Sequence, residues 1–76
     1  MKEIDINKNI FQLTNEYPEL ISILFDLGFR EIVKPGMLNT VGKFMKLKQG
    51  CSLRGINYLD LINKLTQYNF TIIRGG

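Results

Sequence analysis

The 76-residue sequence has no histidine, no tryptophan and a single cysteine, Cys51. Each shortage closes a class of chemistry. Without histidine the usual zinc ligand sets and the commonest general base are missing. One cysteine rules out an intrachain disulfide. A chain this short buries only about 60% of the surface that its unfolded form exposes. Its core must therefore stabilise the fold unaided, or a partner chain must help. Long apolar runs are scarce as well. The longest, Leu20-Ile21 followed by Ile23-Leu24-Phe25, is broken by Ser22 and ended by Asp26, which is too short for a membrane span. The opening Met1-Lys2-Glu3-Ile4-Asp5 leads into no apolar stretch, so no secretory signal is expected. One unpaired cysteine fits the cytoplasm. There are no repeats, no low-complexity tracts and no glycine-rich phosphate loop of either standard spacing.

What the chain does have is a 45% hydrophobic composition, ordinary for a globular domain and too high for disorder. A single domain over residues 1–76 is expected. The net charge of +3 is unevenly spread. Residues 1–29 carry Lys2 and Lys8 against Glu3, Asp5, Glu16, Glu19 and Asp26, a balance of −3. Residues 30–54 carry Arg30, Lys34, Lys43, Lys46, Lys48 and Arg54 against Glu31 alone, a balance of +5. Such a polar molecule either spreads its cations over solvated loops or meets an anionic partner.

Periodicity predicts about four helices. A first runs near 8–16 behind Asn7 as N-cap, with Ile10 and Leu13 inward. Tyr17-Pro18 ends it, because the residue before proline avoids the α region. A second spans about 18–27, with Pro18 at its first position and Leu20, Ile23, Leu24 and Leu27 on one stripe. Gly28 follows as the left-handed terminator, and Phe29 is placed to fold back on the helix end. Leu38, Val41, Phe44 and Met45 predict a third helix over 37–47. Gly42 within it costs about 1 kcal/mol against alanine, which hints at a close backbone approach or a ligand. Residues 50–55 read as a loop. Asn57 caps a fourth helix near 58–68, with Leu59, Ile62 and Leu65 on one face and Asn69 left-handed after it. The β-prone tail 70–74 is suited to pairing with residues 3–6. The expected fold is all-α, a small orthogonal bundle with short extended termini.

Several runs together resemble a bacterial and archaeal family, domain of unknown function 1858. They are Ile4-Asp5-Ile6-Asn7-Lys8, Tyr17-Pro18-Glu19-Leu20, Leu24-Phe25-Asp26-Leu27-Gly28-Phe29, Pro35, Leu38-Asn39-Thr40 and a last helix ending in Leu65. The resemblance covers about 4–68 and implies a small multi-helical bundle. Residues 37–45 look like the branch fused to hemerythrin-like and PAS-type sensory regions. Many relatives carry Cys-x-x-Cys just before the proline, and here those places are Glu31 and Lys34. Neither side chain supplies a thiolate, so the metal or disulfide chemistry that such a pair implies is not expected of this chain. An exposed Glu31–Lys34 ion pair, worth less than about 1 kcal/mol, is expected instead.

No catalytic constellation emerges. Cys51 has cations nearby in Lys48 and Arg54 but no histidine base, and a structural role is favoured. Glu16, Glu19 and Asp26 read as helix-end and solubility charges. The basic middle lacks interleaved aromatics, so nucleic acid is not expected as a partner. The favoured reading is a non-catalytic accessory module, for protein interaction or sensing, with no cofactor. Its candidate binding surface is Arg30, Glu31, Lys34, Asn39, Thr40 and Lys43, polar residues clustered about the Pro35-Gly36 turn. The alternative is a small-molecule-binding domain with a groove at Met37, Phe44 and Met45. A degenerate redox or metal domain ranks below both. A spare apolar helix face would also allow a homodimer.

Overall fold

A computed structural model describes residues 2–74. Among these the order is β1 (Lys2–Asp5), α1 (Ile10–Glu16), α2 (Glu19–Asp26), a 3₁₀ turn (Arg30–Val33), a second 3₁₀ turn (Val41–Phe44), α3 (Leu47–Arg54), α4 (Tyr58–Gln67) and β2 (Phe70–Ile73). The fold is mostly helical but not purely all-α. The two terminal strands pair in parallel, with Ile4 opposite Ile72, as the β-prone tail predicts. Ile4 and Phe70 turn inward, and the Tyr17 hydroxyl accepts from the Glu3 N–H at 3.1 Å.

The cap of α1 is Asn9, not Asn7. The Asn9 side chain accepts from the Gln12 N–H at 2.7 Å, and the Gln12 side chain accepts from the Asn9 N–H at 3.0 Å. This is a capping box, which satisfies two otherwise orphaned donors. Ile10 and Leu13 are buried as expected. The end of α2 also follows its sequence. Gly28 adopts φ +123°, its N–H donates to the Phe25 carbonyl at 3.2 Å, and the Phe29 N–H reaches the Leu24 carbonyl at 2.9 Å. That Schellman pair folds Phe29 into the core beside Leu20 and Leu24.

The middle of the chain departs from the periodicity. Residues 37–46 do not form an α-helix, and Leu47 begins α3. The Thr40 hydroxyl donates to the Gly36 carbonyl at 2.8 Å, a local bond that competes with regular helix. Met45 is extended, and its carbonyl accepts from the Ile10 N–H at 2.8 Å. Asn9 bridges Lys46 and donates from Nδ2 to the Lys43 carbonyl at 3.1 Å. These ties to the start of α1 satisfy backbone groups that a continuous helix would have kept to itself. Phe44, expected in the core, is 85% exposed.

Residues 47–54, read partly as loop, form α3 instead. Leu47, Gly50 and Cys51 lie on its buried face. Gly55 at φ +69° ends it and allows the Ile56 N–H to reach the Cys51 carbonyl at 2.9 Å. The close backbone approach expected at Gly42 is an ordinary contact, 3.5 Å from a Cβ position to the Phe11 nitrogen. The tight glycine of this region is Gly50, which faces a ring: a Cβ there would stand 2.6 Å from Phe29 Cε1. In α4, Asn57 caps as expected, accepting from the Asp60 N–H at 3.0 Å, and Asn69 takes φ +70°. The buried stripe is Leu61 and Leu65; Leu59, expected inward, is 71% exposed.

Candidate binding cleft

The second 3₁₀ turn and α3 stand apart enough to leave a cleft of about 160 Å³. Phe29, Ile32 and Ile10 form its inner wall; Met37, Leu38, Val41, Gly42 and Met45 form one side; Gly50, Leu53 and Arg54 form the other. Sequence reasoning placed Met37 and Met45 here correctly and Phe44 wrongly. It missed Leu53 and Arg54, because residues 50–55 read as loop. Leu47 and Cys51 at i and i+4, followed by Gly55 as terminator, were the available signal of a helix here.

The six candidate surface residues lie on one continuous segment but do not converge on a single point. Glu31 sits at the cleft and pairs with Arg54 across it, not with Lys34. The Arg54 guanidinium beside Glu31 holds its carboxyl below the usual carboxylate range, with a smaller contribution from Lys34. Arg30 stacks over Phe25 at 4.7 Å, and Lys43 lies over Phe11 at 4.9 Å. Such exposed cation–π contacts are worth about 0.5–1 kcal/mol each. Thr40 spends its hydroxyl on the Gly36 and Met37 carbonyls. Asn39 borders a second, shallower depression with Phe11 and Leu38. Lys34 is exposed.

Cys51 lies in α3, not in a basic loop, and is 1% exposed. Burial pushes its thiol up to about 11 from 9.0. The thiolate is the nucleophilic form, and a shift of this size leaves about a hundredfold fewer thiolates at neutral pH. Labelling of native Cys51 by a maleimide or disulfide reagent at pH 7.5 is therefore expected to run at least about a hundredfold slower than in denaturant. A rate equal to that of a free thiol would place Cys51 at an accessible site instead. Among the described residues, no three of His, Cys, Asp and Glu gather in a way that would hold a metal ion. No helix among them is long and apolar enough to cross a membrane.

Among the described residues, four short helices, a parallel pair of terminal strands and an apolar cleft beside a basic segment define a small helical domain. Residues 4–62 match the family described as Domain of unknown function (DUF1858), and the chain belongs to that family. A solved structure described as the conserved domain protein from Streptococcus pneumoniae TIGR4 is similar, with a TM-score of 0.90 and 30% identity over 100% of this chain and 96% of that one. No curated protein matches the sequence.

Proposed function

We propose that this domain is a non-catalytic accessory module, acting in the cytoplasm, that binds a protein partner in an interaction or sensing role through the face built by residues 30–46. One observation carries the reading. A core this small needs every apolar group it can bury, yet Phe44 stays 85% exposed and Val33 55% exposed on that segment. Exposed apolar side chains rimmed by polar ones mark interaction sites. Arg30, Glu31, Lys34, Asn39, Thr40 and Lys43 are the polar residues carried on that same segment.

The test is affinity capture from a lysate of the source cell, with wild type beside Arg30→Glu/Lys34→Glu. A partner retained by wild type and lost by the variant is the expected result. Loss of the Arg30–Phe25 contact costs about 0.5–1 kcal/mol, so the variant should melt within about 8 °C of wild type. A large loss of stability with capture intact would make those residues structural, and equal capture by a variant as stable as wild type would remove them from the binding face.

A second reading has support from the cleft itself. Met37 and Met45 line it, and thioethers adapt to irregular apolar ligands. Native mass spectrometry of freshly purified protein separates the two: a co-purified small molecule favours ligand binding over a partner protein.

A further inference from the structure

We infer that the cleft receives the apolar side chains of an acidic amphipathic helix from a partner protein, an inference that rests on the interaction reading above and gives the partner its chemistry. At about 160 Å³ the cleft matches the size of an apolar cavity, about 150 Å³, that admits a benzene-sized group. It accepts one side chain of leucine or phenylalanine size. Apolar surface continues past its mouth, since Val41 and Leu53 line it while remaining 41% and 69% exposed.

Charge selects the occupant. The segments framing the cleft, residues 30–54, hold six cations and one anion. That anion, Glu31, is already taken by Arg54. Arg30, Lys34, Lys43, Lys46 and Lys48 form no ion pair among the described residues. None of these five lines the cleft itself, but a partner with carboxylates flanking its apolar anchor meets the net positive charge of the segments that do, whereas a basic partner is repelled. Shape selects the mode. Neither strand contributes a residue to the cleft, so strand addition is unavailable there, and recognition runs through side chains, as when a helix lies in a groove. An anionic bilayer surface would satisfy the cations but would leave the concavity unfilled.

The test uses protein labelled with ¹³C at the methionine methyls, because Met37 and Met45 line the cleft. The probe is a designed helical peptide with leucines at i, i+3, i+4 and i+7 and glutamates on the flanking positions. Its counterpart carries lysine for every glutamate. The Met37 and Met45 signals should shift with the acidic peptide, at an affinity at least tenfold above that for the basic one. The gap should narrow as salt is raised. Lys34→Glu/Lys46→Glu, the second next to the lining residue Met45, should weaken the acidic peptide about tenfold while leaving the fold intact. Equal affinity for both peptides, or unmoved methyls at millimolar acidic peptide, overturns the inference. So do methyls that respond to phosphatidylglycerol vesicles and not to the peptide, in favour of a membrane surface. If methyls ignore the peptide while Arg30→Glu/Lys34→Glu still loses a captured protein, the cleft inference falls and the interaction reading stands. If the peptide binds the cleft but capture is indifferent to that reversal, the cleft inference stands and the polar face falls.

Discussion

Truncating Leu24 to alanine is expected to cost about 2–5 kcal/mol of folding stability. The side chain is 0% exposed at the centre of the cluster formed with Leu20, Phe29 and Leu65. Removing it loses the transfer energy of its buried methyl groups and leaves a cavity that close-packed neighbours only partly fill. For a chain of this length total stability is about 4–11 kcal/mol, so the change removes a large part of it. Melting followed by far-ultraviolet circular dichroism should show a fall of roughly 8–40 °C. The matched control is Leu59→Ala. Leu59 has the same chemistry but is 71% exposed on α4, and its loss should stay within about 0.5 kcal/mol. Equal losses at the two positions would mean that α4 presents a different face to the core.

That control marks the boundary of what local pattern reveals. Where one short stretch holds both the apolar stripe and its terminator, the sequence is legible. Leu20 and Leu24 followed by Gly28 and Phe29 define α2 and its end, because every bond in that cap is made within six residues. Asn57 and Asn69 bracket α4 for the same reason. The pairing of the termini was also readable, since β-prone residues at both ends have few other partners. The segment 37–47 was not. Its apolar spacing is helical, but its backbone bonds go to Asn9 and Ile10, more than thirty positions away, and no local pattern encodes that. Face assignment in α4 failed by a smaller margin: Leu59 and Leu61 are two positions apart, and only the packing of Leu61 against the rest of the cluster decides between them. The candidate site divides in the same way. Met37 and Met45 were legible as an adaptable apolar pair. The Glu31–Arg54 pair across the cleft was hidden, because its two members belong to elements that meet only once the chain has folded.

Gly50 carries the second large effect, and it runs against intrinsic propensity. Glycine inside a helix is disfavoured by about 1 kcal/mol relative to alanine, so a change at this position of α3 would be expected to stabilise if the helix were exposed. Instead the added Cβ would stand 2.6 Å from Phe29 Cε1 and 3.4 Å from Ile10 Cδ1. Phe29 has little room to yield: it is 3% exposed, and its N–H is fixed to the Leu24 carbonyl at 2.9 Å. Overpacking of this kind costs about 1–3 kcal/mol. Gly50→Val, which adds a branched side chain, should reach the upper end of that range; Gly50→Ala should lose less. If the ring is the obstacle, Phe29→Leu combined with Gly50→Ala should be more stable than the sum of the two single changes, with a coupling of about 1 kcal/mol or more. Simple additivity would mean that strain elsewhere in α3 is responsible. Because Phe29 and Gly50 both line the cleft, a ring pushed aside by the new Cβ narrows it. The Met37 and Met45 methyl signals of Gly50→Ala should therefore differ from those of wild type before any peptide is added, and the acidic peptide should bind the variant more weakly, linking the packing of one glycine to the capacity of the site.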